Sequence, residues 1–554
     1  MAASKLTKKL IKLAGTHGAP DGVSSTVFSD FIQAATPQIR SAFRDKYSTQ
    51  EIFEVLHSYV TETQVRTGDD PAVHVSQRES GIHIVSHMAD QPFIVDTVLL
   101  TLRTLNAQYL AGFNLVMSIG RDAGGKLTSV DDPADPLESM IFVHADGCED
   151  IGLLREELKK RLRLAQATVA DFDPMARLVK ETASDLMQAG YASEDETNHF
   201  TEAAGFLRWL LADNFVLMGI VQDGTRLGIA KPSVAALNDM SSLEQWEPSE
   251  RVVDIRKAPS ESLVHRAGRK DEIRIQIPNA HDLKIQGLFT YRAVTQPSRH
   301  VPILRQDLAK ILGQQDCKPR SYRYKGIANV FDSLPTEFLF TTTPQQISKM
   351  IDRVLEAEQQ RRARTHILQN NADGSAFVLA AMPRGQWSDQ IRQNIERHLV
   401  HETGASYCDH GVFVGRYETM LIHFYLTGCR KLTDQTTSKL ADQVTELATS
   451  WTDRVHSALV SECGSERAEE LVSTYGEAFE QTYMRNTRPA QVARDIQMLE
   501  AVTESNHVVA DVYQDSRGRI SLRLYQLHNI LLSEMLPVID NFGLVVRDQF
   551  NDPV

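Results

Sequence analysis

The hydrophobic positions of this chain change period several times, and each change marks an element. Residues 81–88 are an apolar run with β character. From Ala89 the period lengthens: Phe93, Val95, Val98, Leu99, Leu102 and Leu105 recur at helical spacing, with Asp90 placed to cap the helix and Pro92 in its first turn. Two more strands are predicted at 113–120 and 138–144, on either side of a turn-rich stretch at 121–136, and a second helix at 150–170. Strand, helix, strand, strand, helix is the order of a small α+β sandwich, one sheet covered by two helices on one face. Its form suits a ligand-sensing module better than a catalytic one, and residues 83–112 are its frame.

Residues 1–75 carry helical periodicity, at Val27, Phe28, Phe31 and Ile32 and again at Ile52, Phe53, Val55, Leu56 and Tyr59, with Pro37 between. The sandwich takes 76–175. Helices follow at 175–190 and 194–214. In the second of these Phe206, Trp209 and Leu210 keep the helical period, Asp213 and Asn214 stop it, and 215–221 is a strand closed by Asp223 and Gly224. Alternation at 272–277 and the run 285–291 build a sheet, so 176–355 is predicted to be an α/β domain with a mixed sheet. Residues 356–432 read β-β-α-β-β and 433–502 read as helical. Residues 503–554 read β-β-α-β, with strands at 506–513 and 519–527 joined at 515–518, a helix at 533–541 and a strand at 544–549. A chain that stops directly after a strand is expected to be the front part of something longer.

Bulk composition narrows the classes. At 554 residues the chain is too long for one core. With 42% hydrophobic and 24% charged residues it is ordinary globular protein, and no apolar run nears the roughly 18 residues of a membrane span. A soluble protein with no membrane partner is predicted. The net charge of −13 argues against nucleic acid, whose phosphates need a concentrated positive surface; the basic runs at 5–12 and 361–364 read as solvated helix faces. Cys148, Cys317, Cys408, Cys429 and Cys463 show no C-x-x-C spacing, and no apolar export segment follows the N-terminus. A reducing, cytoplasmic location fits.

No catalytic centre can be argued from spacing. Gly120, Gly125 and Lys126 have the spacing of a phosphate loop, but Leu127 stands where a metal-binding Ser or Thr belongs and no helix follows, so a hairpin turn is the better reading. No G-x-G-x-x-G follows a strand, hence no cofactor is assigned to this chain. His398 and His401 lack the H-E-x-x-H order and a third ligand; His83 and His87 share a strand face but read as packing or rim residues, and the Asp131–Asp135 run as a solvated turn. No metal site is assigned. Arg256, Lys257, His265, Arg266, Arg269 and Lys270 concentrate positive charge that could take a carboxylate or phosphate, although a solvated face is commoner.

Several ordered pieces together resemble one family: 91–98, 206–215 with Met218 and Gly219, 260–266 with 287–290, 301–305, Tyr483 with 493–496, and 532–543. In that order they resemble the N-terminal half of the large bacterial NAD-specific glutamate dehydrogenases, over nearly all of 80–550. The departures are residues 228–230, where the family has a glycine-leucine pair, and a divergent N-terminus. The resemblance implies a multi-domain α+β chain of several ACT-like, ferredoxin-like sandwiches of antiparallel sheet, at 76–175, 356–432 and 503–554, joined by helical segments. A further such unit with an insertion is an option within 176–355. It implies NAD in the parent enzyme, which oxidises L-glutamate to 2-oxoglutarate and ammonia, with that chemistry in a dehydrogenase core outside this chain. A homo-oligomer and a small amino-acid effector are the further partners it implies; the alternative is a free-standing ACT-repeat binding protein without dehydrogenase activity. For an effector, the loop 88–92 is the expected contact. There helix amides and Gln91 would meet a carboxylate, and Asp90 with Asp96 an ammonium, unless Asp90 simply caps and Asp96 is solvated.

Overall fold

The structure, a computed structural model, describes residues 2–190, 197–238, 240–246, 251–315, 317–370, 374–415, 419–503, 508–514, 520–528, 530–543 and 546. The predicted link at 515–518 and the predicted strand at 544–549, apart from Val546, lie outside these residues. The chain divides into two compact units, Met1–Lys310 with Pro335–Thr342, and Ile311–Leu334 with Thr343–Val554.

The first unit begins with α1 (Ala2–His17), α2 (Ser25–Ala35), α3 (Ser41–Lys46) and α4 (Thr49–Thr63). Ser24 caps α2 by accepting from the Val27 amide, and Ser48 with Glu51 forms a reciprocal capping box on α4. There follow β1 (Ala72–Arg78), β2 (Gly81–Ala89), α5 (Ile94–Thr104), β3 (Gln108–Arg121), β4 (Leu127–Val130), β5 (Leu137–Asp146) and α6 (Ile151–Ala170). The helical preface therefore ends at Thr63, and β1 begins inside the stretch read as helical to residue 75. The sheet order is β1-β2-β5-β3-β4, antiparallel throughout. Leaving aside the β4 hairpin, this is a ferredoxin-like sheet whose outer strand beside β2 comes from the N-terminal side of the module.

Strand alternation divides the sheet's side chains. Ile82, Ile84, Met88, Ile141 and Val143 meet Ile94, Val98 and Leu102 of α5 and Leu154, Leu158 and Leu162 of α6. Val85, Phe113, Leu115, Met117, Met140 and Phe142 turn the other way, onto Phe28, Phe31, Phe43, Leu56 and Tyr59 of the N-terminal helices. The expectation of helices on one face is corrected here: this sheet is covered on both. On α5 the apolar face is also rotated from the predicted one, since Val95 and Leu99 are exposed while Ile94 and Val98 are buried.

The second apolar face encloses one carboxylate. Glu138, on β5, is 3% exposed and accepts from Arg66 Nη1 at 2.8 Å and from Arg121 Nε and Nη2 at 2.9 Å each. Arg121 Nη1 also donates to the carbonyls of Thr63 and Gly125, so the end of α4, the β3–β4 hairpin and β5 are joined through one guanidinium. Burial works to raise the Glu138 pKa, but hydrogen bonds from His87 and Arg121 and the charges of Arg121 and Arg66 outweigh it and pull it down to about 2. His87 is held below the usual histidine range chiefly by burial.

The rest of the first unit is α7 (Phe172–Gly190), α8 (Thr197–Trp209), one wide turn at Leu210–Asn214, and the strands β6 (Phe215–Gln222) and β7 (Thr225–Gly228). After them come the short α9 (Pro232–Ala235) and α10 (Ser241–Glu244), then β8 (Val253–Glu261), β9 (Arg269–Ile275), β10 (Leu283–Phe289), α11 (Tyr291–Val294) and the start of α12 (Leu304–Gln314). The sheet order is β7-β6-β10-β9-β8. All of its pairs are antiparallel, which corrects the mixed sheet expected at 176–355.

The second unit holds α13 (Tyr322–Ser333), while α14 (Thr336–Thr341) belongs to the first. It continues with α15 (Pro344–Gln360), β11 (Arg364–Asn370), β12 (Ser375–Pro383), α16 (Asp389–Thr403), β13 (Tyr407–Val414), β14 (Thr419–Thr427) and α17 (Asp434–Ala448). Sheet order is β11-β12-β14-β13, again antiparallel, with α16 and α17 on one face around Ile395, Leu399, Leu440 and Val444. A helical array follows, α18 (Trp451–Cys463), α19 (Ser465–Tyr475), α20 (Gln481–Asn486) and α21 (Pro489–Glu500), then the hairpin of β15 (Val508–Gln514) and β16 (Ile520–Gln526), and α22 (Leu532–Asn541).

Because the folded Glu138 pKa lies below its ordinary 4.5, its contribution to stability is complete above that value and is lost as pH falls towards about 2. Glu138→Gln is expected to cost about 3 kcal/mol at neutral pH by stranding two buried guanidinium groups, and to flatten the acid limb of the stability curve. Urea denaturation between pH 7 and 3 measures both effects; an unchanged acid limb would refute this role for Glu138.

Candidate functional site

The loop expected to face a ligand leads from β2 into α5. β2 ends at Ala89, and the Asp90 amide donates to the Leu137 carbonyl at 3.0 Å. The helix opens at Ile94, with Phe93 at the cap position in the left-handed conformation (φ 74°) and no side-chain cap. Asp90 is therefore not the cap, and no helix amides are presented at 88–92. Asp90 is exposed, Gln91 is partly buried with its Nε2 unpartnered among the described residues, and Asp96 is on the first turn.

That first turn is occupied by the protein itself. The segment joining β8 to β9 brings His265 against it: His265 Nδ1 is 3.1 Å from Asp96 Oδ2, the His265 amide donates to Thr97 Oγ1 at 3.3 Å, and the rings of Phe93 and His265 are 5.0 Å apart. Phe93 packs on the cluster of Leu164, Met218, Val264 and Leu288. His265 is also left-handed (φ 70°), so two non-glycine residues in a sparsely populated region face one another, at about 1–3 kcal/mol each. The three residues singled out in the sequence thus do not converge: Asp96 is engaged in an intramolecular contact, and Asp90 points to solvent.

The basic cluster at 256–270 is likewise absorbed. Lys257 Nζ bridges Asp271 Oδ1 at 2.8 Å and Glu337 Oε2 at 2.9 Å. Arg256 Nε donates to Glu272 Oε2 at 2.9 Å with its guanidinium over the Trp246 ring, Lys270 donates to Asn238 Oδ1, and Arg266 to the Phe289 carbonyl. β9 therefore buries Lys270, Asp271, Glu272 and Arg274 in one short strand. Asp271 is pushed up by burial, with Lys257 opposing; Lys257 would be lowered by burial, but Asp271 and Glu337 raise it. Neither of the two expected outcomes, an anion site or a solvated face, describes this cluster, because its cations are paired within the fold.

The other flagged residues fall into local roles. Asp122 Oδ1 accepts from the amides of Gly124 and Lys126, so the loop 120–127 closes as a hairpin whose donors are already used, and a Cβ on Gly125 would lie 2.0 Å from the Arg66 carbonyl. His398 meets Gln443 and His401 meets Glu402, and no group of three metal-ligating side chains occurs among the described residues. Asp135 accepts from Ser129 Oγ inside the 131–136 turn.

Several quoted sequence pieces prove to be joints. Asn214 Nδ2 donates to the Trp209 carbonyl and Gln296 Nε2 to Asn214 Oδ1, fixing the helix-to-strand switch. A Cβ on Gly287 would meet the Val216 carbonyl at 2.1 Å. Buried Asp495 accepts from Tyr483, from Arg523 and, at 2.6 Å, from Tyr525, tying α20 and α21 to β16. Phe93→Ala is expected to cost about 2 kcal/mol, less than a fully buried ring, and Asp96→Asn less than about 1. Amide exchange of the first turn of α5 reads out both; equal, negligible effects would show that this contact does not hold the loop.

Residues 45–162, from the end of α3 into α6, match the family described as glutamate dehydrogenase, ACT1 domain. Residues 301–360 match glutamate dehydrogenase, helical motif 1, and residues 458–502 match helical motif 2. The NAD-specific glutamate dehydrogenase of Halomonas elongata is 24% identical over 497 residues, which is 82% of this chain and 31% of that protein. That of Pseudomonas aeruginosa is 24% identical over 501 residues (83% and 31%), and that of Mycobacterium tuberculosis 21% over 486 residues (82% and 30%). The chain thus spans under a third of the length of these relatives. With an ACT1 domain and two helical motifs in order, and with relatives matched over 82–83% of its length, the chain is similar to the large NAD-specific glutamate dehydrogenases.

Proposed function

We propose that this chain is a regulatory and assembly region of an NAD-specific glutamate dehydrogenase, one that conducts no hydride transfer itself. The observation that supports the reading most is the combination of an ACT1-type sandwich with the two helical motifs over a stretch equal to 31% of a dehydrogenase relative. The described sheets add to it. They offer ionic joints and packed faces, as in the pairs Lys257–Asp271 and Arg121–Glu138.

The arrangement suits transmission of a bias. Phe93 and His265 tie the first sandwich to the antiparallel sheet of β6–β10, so a displacement of α5 is felt by β8 and β9. Regulation would require an effector that binds two states of this region with different affinity. The catalytic core, NAD and glutamate then belong to a dehydrogenase part working with this chain in a homo-oligomer. The purified 554-residue chain is expected to produce no NADH from glutamate and NAD, followed by absorbance; steady turnover from a homogeneous sample would overturn the proposal.

A further inference from the structure

A cavity of about 620 Å³ opens within the helical array of the second unit. The end of α17 contributes Glu446 to its lining, the first turn of α18 Trp451 and Arg454, α20 Met484, and the entry to α21 Arg488 and Pro489. Local chemistry places two of these. Ser450 caps α18 by accepting from the Asp453 amide at 3.0 Å, and Trp451 and Arg454, at i and i+3, then share one face of the helix. The Trp451 ring meets Phe479 edge-on at 5.7 Å, which pins it to the core of Leu459, Leu471 and Val492.

The lining holds donors that lack acceptors. Arg454 Nε and Trp451 Nε1 are buried, and neither has a hydrogen-bond partner among the described residues. A guanidinium shut partly away from water and given no counter-charge is unfavourable, so its surroundings select for an anion. Elsewhere in the array arginines are paired with carboxylates, Arg467 with Glu470 and Glu500 and Arg494 with Asp511. Arg454 and Arg488 form no ion pair among the described residues. The one carboxylate of the lining, Glu446, is exposed and balances one of these two cations at most. In a chain whose net charge is −13, a cavity with a positive excess is a local exception.

We propose that this cavity binds the phosphate group of a small phosphate monoester. Arg454 from α18 and Arg488 at the head of α21 bring two positive charges from separate elements, which matches a dianion centred on one atom better than a monocarboxylate. Phosphate also offers several strong acceptor oxygens, enough for both guanidinium groups and the indole N–H. A metal ion or an organic cation would be repelled by the same two arginines. The volume exceeds what a bare phosphate fills and lies in the ordinary range for small-molecule sites, so the organic body rests on Met484 and Pro489. Nothing in this assignment rests on the regulatory reading.

Titration calorimetry of the intact chain at fixed ionic strength, with inorganic phosphate, glycerol 3-phosphate and glucose 6-phosphate against succinate and glucose, tests the site. At least one ester is expected to bind more tightly than inorganic phosphate, and succinate and glucose are expected to give no heat. Arg454→Gln and Arg488→Gln are each expected to weaken the binding at least about ten-fold, by loss of a charge-assisted hydrogen bond. Glu446→Gln is expected to tighten it about two-fold by lifting a repulsion across solvent, a gain that a damaged fold would not give. Arg488 and Glu446 are exposed, so their variants should fold, which circular dichroism checks. Heat from none of the three phosphate probes, or binding that survives both arginine substitutions, overturns the site. Succinate binding as tightly as the esters overturns the assignment to phosphate, and inorganic phosphate binding as tightly as both esters overturns the organic body.

Discussion

The sheet β1–β5 is buried on both faces, and much of the first unit follows from that constraint. A one-sided sheet can leave polar residues in water; this one cannot. Its second face needs its own cover, which α1–α4 supply with Phe28, Phe31, Phe43 and Tyr59. Any charge on that face needs an internal partner, and Glu138 has two, Arg66 and Arg121. The helical preface is thereby an integral wall of the ACT1-type module, held by apolar packing and by one ionic joint.

The same rule recurs in the second sheet. β9 buries four charged residues, Lys270, Asp271, Glu272 and Arg274, and each finds a partner across a strand or on a covering segment: Asn238 for Lys270, Lys257 for Asp271, Arg256 and Gln286 for Glu272, and Asp254 for Arg274. Such joints add little net stability over apolar packing, but they cost several kcal/mol when half broken. They therefore favour one arrangement of neighbouring elements over others. The β2–α5 loop is held in the same spirit, by Phe93, His265 and Asp96, so its first turn serves as an internal contact.

Much of the fold was legible because it rests on local pattern. The period change after Trp209, the strand 81–88 and the helices ahead of Thr63 all follow from side-chain spacing, and the ordered motifs pointed to the family. What stayed hidden was whatever depends on a distant partner. Alternation along 272–277 separates a polar from an apolar face but cannot tell whether the polar face meets water or a complementary set of charges. The left-handed Phe93 displaced Asp90 as cap, because a cap residue is a local preference and Phe93 is fixed by Val264, between β8 and β9, and by Leu288 on β10. Thr365 and His366 carried no sequence signal at all: a cavity beside them forms where α15 and α17 flank β11, whose neighbour among the described strands is β12.

The most direct test of the central claim is to tag the protein at its own locus, purify it under gentle conditions and assay the eluate for glutamate-dependent NAD reduction across a size-exclusion profile. If the chain is a region serving a dehydrogenase, that activity co-migrates with it at a mass well above that of one chain. If the chain migrates apart from any such activity, the account is contradicted.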